Sequence, residues 1–162
     1  MEIRIGTIEE FKKLWKYSQT PTFNYFLKNI EDRNVEFWTV VIDRNLIAEL
    51  YIFWNSEDSD EANGKDRAYL CAFRVHKDYQ NQGIGQKLMA AVTHRIYENG
   101  FSEITIGIDN KEYEKLHSLY NKLGFNEIVK ESYIDFHYLD KNNQPVEYDQ
   151  PCMIMLKSKT NT

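Results

Sequence analysis

The chain has 162 residues, 42% apolar, 28% charged and 14% aromatic, which suits one globular core of useful size. Its net charge of −5 argues against a dedicated nucleic-acid binder, and neither the opening MEIRIGTIEEF nor any later run is apolar enough for a leader or a membrane span. Cys71 and Cys152 lie in apolar runs without CxxC pairing or metal-ligand spacing, so free buried thiols, no metal and a cytoplasmic location are expected.

Met1 to Ile5 alternates apolar and charged residues, as a half-exposed strand does. Thr7-Ile8-Glu9-Glu10 is a capping box that opens a helix with Phe11, Leu14 and Trp15 on one side. Thr20-Pro21-Thr22 breaks that helix, and Phe23, Phe26, Leu27 and Ile30 mark a second one. Packing is the simpler use for these aromatics, with a pocket lining as the other. Val35 to Ile42 and Leu46 to Trp54 read as a hairpin turning at Asp43-Arg44-Asn45. Asn55 to Asp66 is a polar loop with Glu57, Asp58, Asp60 and Glu61. It reads as a solvated connection, or as an electrostatic lure for a polycation.

Tyr69 to Val75 is an extended apolar run, and Lys77 to Gln82 a polar turn. From Gly83 a helical pattern runs to Gly100, with Ile84, Leu88, Ala91 and Ala90 or Val92 at helical spacing. Ser102 to Ile108 is a β-branched strand, and Asn110 to Leu123 a helix that gathers Leu116, Leu119, Tyr120 and Leu123. Gly124 ends it and Phe125 starts a strand. Ile128 to Tyr138, a turn at Asp140 to Pro145 and Cys152 to Leu156 close the chain as a hairpin. The reading is an α/β (α+β) chain forming one domain over residues 1–162.

The strand–turn–helix from Tyr69 to Gly100 has a chemical use. The first N–H groups of a helix lack intrahelical partners and carry the positive end of the dipole, so they suit phosphate. The triphosphate loop G-x-x-x-x-G-K-[ST] is missing, and the dinucleotide fingerprint fails at Leu88. What remains, Gln80-Asn81-Gln82-Gly83-Ile84-Gly85, fits (Gln/Arg)-x-x-Gly-x-(Gly/Ala).

With Val75-His76-Lys77-Asp78-Tyr79 before it and Gln86-Lys87-Leu88-Met89 after it, this stretch resembles the acetyl-coenzyme A loop of the GNAT (Gcn5-related N-acetyltransferase) superfamily. The element order β-α-α-β-β-β-α-β-α-β-β is similar to that fold along nearly the whole chain. The resemblance implies a mixed, mostly antiparallel sheet of about six to seven strands with about four flanking helices. Strands four and five would splay to admit the thioester arm. It implies an acetyl-coenzyme A-dependent N-acetyltransferase that moves the acetyl group directly, in a ternary complex, to a primary amine of a small molecule or protein. The alternative is a catalytically silent acyl-coenzyme A-binding regulatory module. The acidic loop leans toward a polycationic acceptor, and homodimerisation is common in the family resembled.

By that resemblance Phe73, Arg74 and Val75 lie on a bulged strand that pairs with the pantetheine arm. Gln80, Asn81, Gln82, Gly83, Ile84 and Gly85 hold the pyrophosphate. Leu119-Tyr120-Asn121-Lys122-Leu123-Gly124-Phe125 is similar to the family's Leu-Tyr-x-Lys-x-Gly-Phe signature, which makes Tyr120 the proton donor to the departing thiolate. A phenol with a pKa of about 10 is protonated at neutral pH and can donate. Periodicity fits a core tyrosine equally well. Asn110 is the candidate for the family's pantetheine-contacting asparagine, although Tyr113 stands at the usual spacing and a helix cap is the other reading. The position of the family's glutamate base is held by about Cys71, so Glu49, His117, Asp135 and His137 remain as candidates and the base is unassigned.

Overall fold

A computed structural model describes residues 1–15 and 19–160. The strands are β1 (Glu2–Ile5), β2 (Val35–Ile42), β3 (Asn45–Phe53), β4 (Arg67–Val75), β5 (Glu103–Ile108), β6 (Glu127–Leu139) and β7 (Pro145–Ser158). The helices are α1 (Ile8–Leu14), α2 (Pro21–Glu31), α3 (Ile84–Glu98) and α4 (Tyr113–Lys122). The strands form one sheet in the order β1-β2-β3-β4-β5-β7-β6. Every pairing is antiparallel except β4 with β5.

Local chemistry sets the first half. Thr7 and Glu10 complete the capping box of α1, while Thr20 caps α2 with Pro21 in its first turn. Asp43 and Arg44 both take positive φ, as a tight hairpin turn between β2 and β3 requires. Alternation along the strands then sorts side chains to two faces. Leu50, Ile52, Leu70, Ile104 and Ile106 meet α3 and α4. Tyr51, Phe53 and Tyr69 meet Phe11, Phe23 and Phe26 from α1 and α2. There Phe11 stacks on Phe23 at 5.2 Å and Phe26 stands edge-on to Tyr51 at 5.1 Å. Each such side chain contributes about 1.5–3 kcal/mol when fully buried.

Some sequence expectations shift. Met89 and Ile96 join the buried face of α3, whereas Ala90 is exposed. Leu119 points outward on α4. The predicted helix over Asn110–Leu123 begins as a separate 3₁₀ turn, Asn110–Glu112, because Asp109 caps that turn through the Lys111 N–H. In the acidic loop Glu61 is buried and Asp58 half-buried, so the loop is only partly solvated.

Two irregularities shape the middle and the tail. β4 and β5 pair only from Arg67↔Glu103 to Leu70↔Ile106, and beyond that they part. Just there β4 gains one residue against β3: Tyr51 faces Cys71 but Glu49 faces Arg74, and Ala72 takes φ +54°. The tail hairpin β6–β7 also slips register repeatedly, and β6 makes contact with α2. Thr22 Oγ1 donates to the Leu139 carbonyl at 3.2 Å and accepts from the Leu139 N–H at 2.9 Å.

Candidate active site

The extra residue at Ala72 inverts the rest of β4. Cys71 and Ala72 both lie on the face of α1 and α2, so Phe73 and Val75 turn to the α3 side and Arg74 to the opposite one. Gly85 receives the turned pair: a Cβ there would stand 3.1 Å from the Phe73 ring and 3.6 Å from Val75 Cγ2. Gly83 has a different duty. It holds φ +80° as the residue before α3, and a Cβ there would meet nothing within 4 Å. The turn thus leaves the first N–H groups of α3 open to an anion. Gln80 Nε2 donates to the Val75 carbonyl at 2.9 Å and ties the turn to the end of β4. Asn81 takes φ +63°, while Asn81 and Gln82 are exposed. From Cys71 to Val75 the β5-facing edge of β4 is unpaired, as a ligand that adds main-chain hydrogen bonds would need.

On the other face lies a cleft of about 960 Å³ between α1, α2, the bulged part of β4 and the tail hairpin. Glu49 lines it from β3. Its Oε1 is 3.4 Å from Arg74 Nη1, and its Oε2 accepts from the Tyr51 hydroxyl at 3.2 Å. Burial pushes the Glu49 carboxyl above the usual carboxylate range, against the opposing pull of Arg74 and Tyr51. Asp135 faces the same cleft and accepts from the His137 N–H at 2.8 Å and from the Tyr148 hydroxyl. His137 is buried between Phe53 at 4.3 Å and Tyr69 at 4.6 Å. Its Nε2 sits 3.2 Å from Ser56 Oγ and 3.7 Å from Glu61 Oε1. Burial pushes the Cys71 thiol well up, which describes an inert thiol rather than a base or nucleophile.

Tyr120 lies on α4 in the core shared with Ile84, Leu88 and Ile106, edge-on to Phe125 at 6.0 Å. Burial pushes its phenol up to about 12, with Glu112 adding to the effect. Phe73 packs against this same core, as does Tyr113, which stacks on His117 at 4.8 Å. Asn110 is turned elsewhere. It is exposed, and its side chain donates to Gln150 on β7.

Three of the four loop acids are engaged or buried, and Glu57 is exposed. Lys130 Nζ binds Asp58 at 2.6 Å and Asp60 at 3.1 Å, and Glu61 is buried beside His137. The Glu49–Arg74 pair, the Asp135–Tyr148 bond and the burial of Glu61 carry no local sequence signal, since each joins segments distant in the chain. Among the described residues no group of three or more His, Cys, Asp or Glu side chains is gathered as for a metal ion, and no helix is long and apolar enough to cross a membrane.

Comparison with curated proteins finds no match. Solved structures are similar over nearly the full length. An aminoglycoside 6′-acetyltransferase type Ii matches with TM-score 0.71 and 16% identity, covering 100% of this chain and 99% of that one. An aminoglycoside 6′-N-acetyltransferase from Enterococcus faecium matches with TM-score 0.68 and 14% identity over the same shares. A Bacillus subtilis acetyltransferase in complex with coenzyme A matches with TM-score 0.68 and 19% identity, covering 98% and 99%. The sheet, its parallel β4–β5 pair and the four helices are those of this fold. The acetyltransferase (GNAT) family model matches residues 4–125, and the chain belongs to that family.

Proposed function

We propose that the protein is an acetyl-coenzyme A-dependent N-acetyltransferase that moves the acetyl group directly to a primary amine in a ternary complex. The observation that carries this reading is the bulge at Ala72. It opens the Cys71–Val75 edge toward β5 while turning Arg74 to Glu49 in the cleft behind. Acetyl-coenzyme A supplies the acetyl group as a thioester. The open edge around Phe73, Arg74 and Val75 pairs with the pantetheine amides and offers an N–H to the carbonyl oxygen as charge builds on it. The main chain from Gln80 to Gly85 holds the pyrophosphate at the start of α3. Asn110 is engaged with Gln150, which favours Tyr113 as the α4 residue beside the arm.

The amine nitrogen attacks the carbonyl carbon, a C–N bond forms and the C–S bond breaks. Glu49 takes the proton from the amine. Its raised affinity for protons makes it a better base than an ordinary carboxylate, and Arg74 keeps the ionised form accessible. Tyr120, protonated throughout the working range, gives its proton to the departing sulfur.

The test is coenzyme release with acetyl-coenzyme A against a panel of amines, together with calorimetric titration of acetyl-coenzyme A. Tyr120→Phe should lower kcat by about 10- to 100-fold at unchanged cofactor affinity. An unchanged kcat removes Tyr120 as the acid. Tight binding with no turnover on any amine favours the silent binding module instead.

A further inference from the structure

One side chain closes the joint where β4 and β5 part. The last paired residues are Leu70 and Ile106, so the next position on β5 is Gly107. Tyr69 leans across to it from β4. A Cβ at Gly107 would stand 3.2 Å from the Tyr69 hydroxyl oxygen and 3.0 Å from Cys152 Sγ, so a side chain there would press on both. The hydroxyl therefore sits at the foot of the open strip, and Tyr69 also lines the cleft beyond it. The residue is only 7% exposed, and its ring stacks on His137 at 4.6 Å with 22° between the planes, which fixes its direction. Tyr51 and Tyr148 donate their hydroxyls to Glu49 and Asp135, whereas no described residue accepts from Tyr69. Burial pushes the Tyr69 phenol well above its ordinary value, with Glu61, Cys71 and Asp135 adding to the effect. It is therefore a neutral donor that keeps its proton. A buried donor without an acceptor is costly, and the partner that this one lacks within the chain can come from a ligand.

We infer that the Tyr69 hydroxyl donates a hydrogen bond to the carbonyl oxygen of the thioester and stabilises the charge that gathers there, which makes Tyr69 a catalytic residue of the transfer. This inference rests on the acetyltransferase reading above. An arm laid along the Cys71–Val75 edge carries its thioester toward the foot of the strip, where a main-chain N–H of the bulged segment and the Tyr69 hydroxyl serve the same oxygen. As the amine nitrogen attacks, the π pair of the carbonyl moves onto oxygen and the hydrogen bond from Tyr69 strengthens. As the C–S bond breaks, that pair re-forms the carbonyl, and no proton leaves the phenol. A donor already aimed at the place where charge develops needs no reorganisation at the moment of reaction.

The experiment is isotope-edited infrared spectroscopy of carbonyl-labelled acetyl-coenzyme A bound to the protein with no amine present, alongside calorimetric titration of the same ligand. The bound carbonyl stretch should lie at lower wavenumber in the wild type than in Tyr69→Phe, which keeps the ring against His137 and removes only the oxygen. Gly107→Ala, whose Cβ crowds the hydroxyl, should move the stretch in the same direction as Tyr69→Phe. With whichever of phenylethylamine, spermidine and kanamycin is turned over fastest, Tyr69→Phe should lower kcat by about 100-fold at unchanged KM for acetyl-coenzyme A. The infrared result decides even where none of these amines is turned over. A carbonyl stretch identical in the wild type and Tyr69→Phe overturns the inference, whatever happens to kcat, and leaves the acetyltransferase reading intact. So does an unchanged kcat in Tyr69→Phe. Failure to bind acetyl-coenzyme A at all overturns both readings together.

Discussion

Glu49 and Tyr120 are both pushed toward their protonated forms by burial, and in the proposed reaction the two shifts would serve opposite jobs. For Tyr120 the shift keeps a proton available to donate. For Glu49 it strengthens a base, and it also has a cost in stability. A carboxyl harder to ionise in the folded chain binds more protons folded than unfolded, between the ordinary carboxylate value and its own raised value. Stability therefore falls as pH rises through that window and stays lower above it. Glu49→Gln is expected to lower kcat by about 100-fold and to flatten the acid limb of the pH–rate profile. The same variant should raise Tm at pH 8 by about 2–4 °C, read by differential scanning calorimetry. A fall in both activity and Tm would make Glu49 a structural residue. The sequence offered Glu49 as one of four candidate bases, with no motif to favour it. Glu49 sits in an ordinary apolar strand, and only the register of β4 brings Arg74 to it. Tyr120 could be singled out in the sequence because its neighbours Leu119, Lys122, Gly124 and Phe125 form one local signature with it.

Elements whose logic is local were read well, and elements fixed by distant partners were not. The cap of α1 is a local case. Arg4, by hydrogen bonding, and the Thr7 N–H hold the Glu10 carboxyl down to about 2. Its contribution is present above the ordinary carboxylate range and is lost as pH falls through about 2. Thr7→Ala should cost about 1 kcal/mol, seen as a lower midpoint in urea, with acetyl-coenzyme A affinity unchanged. The glycine turn before α3 was also visible in sequence, but the two glycines divide the work differently from a shared phosphate cradle. Gly83 answers to its φ and Gly85 to the Phe73 ring. A bulged strand around Phe73 to Val75 was implied by the family resemblance, but the residues themselves did not mark Ala72 as its position, since alanine is an unusual choice for φ +54°. Ala72→Gly should retain the fold and cofactor affinity. Deleting Ala72 should abolish cofactor binding in calorimetry, because it would turn Phe73 and Val75 into the cleft and Arg74 toward α3.

At the scale of the molecule, the seven strands make one sheet that opens where β4 and β5 part. Unpaired edge amides exchange faster than ladder amides. Hydrogen–deuterium exchange should therefore find β5-facing amides between Cys71 and Val75 that are fast in the free protein and slowed by coenzyme A, while Ile104 and Ile106 in the core of β5 stay protected. Equal rates with and without the coenzyme would remove the open edge as its binding strip. The tail was the least legible part. Its strands were recognised, but nothing in Ile128–Leu139 announces that His137 will lodge between Phe53 and Tyr69. That tail also sets the order in which the protein acquires its parts during synthesis. The strip and the glycine turn are complete once β5 has been made, whereas the acceptor wall comes from Asp135 to Val146, and β7 must then return to lie beside β5. On the proposed function, a chain that stops before the last strand would lack part of the acceptor wall and the strand that pairs with β5, and it is expected not to acetylate.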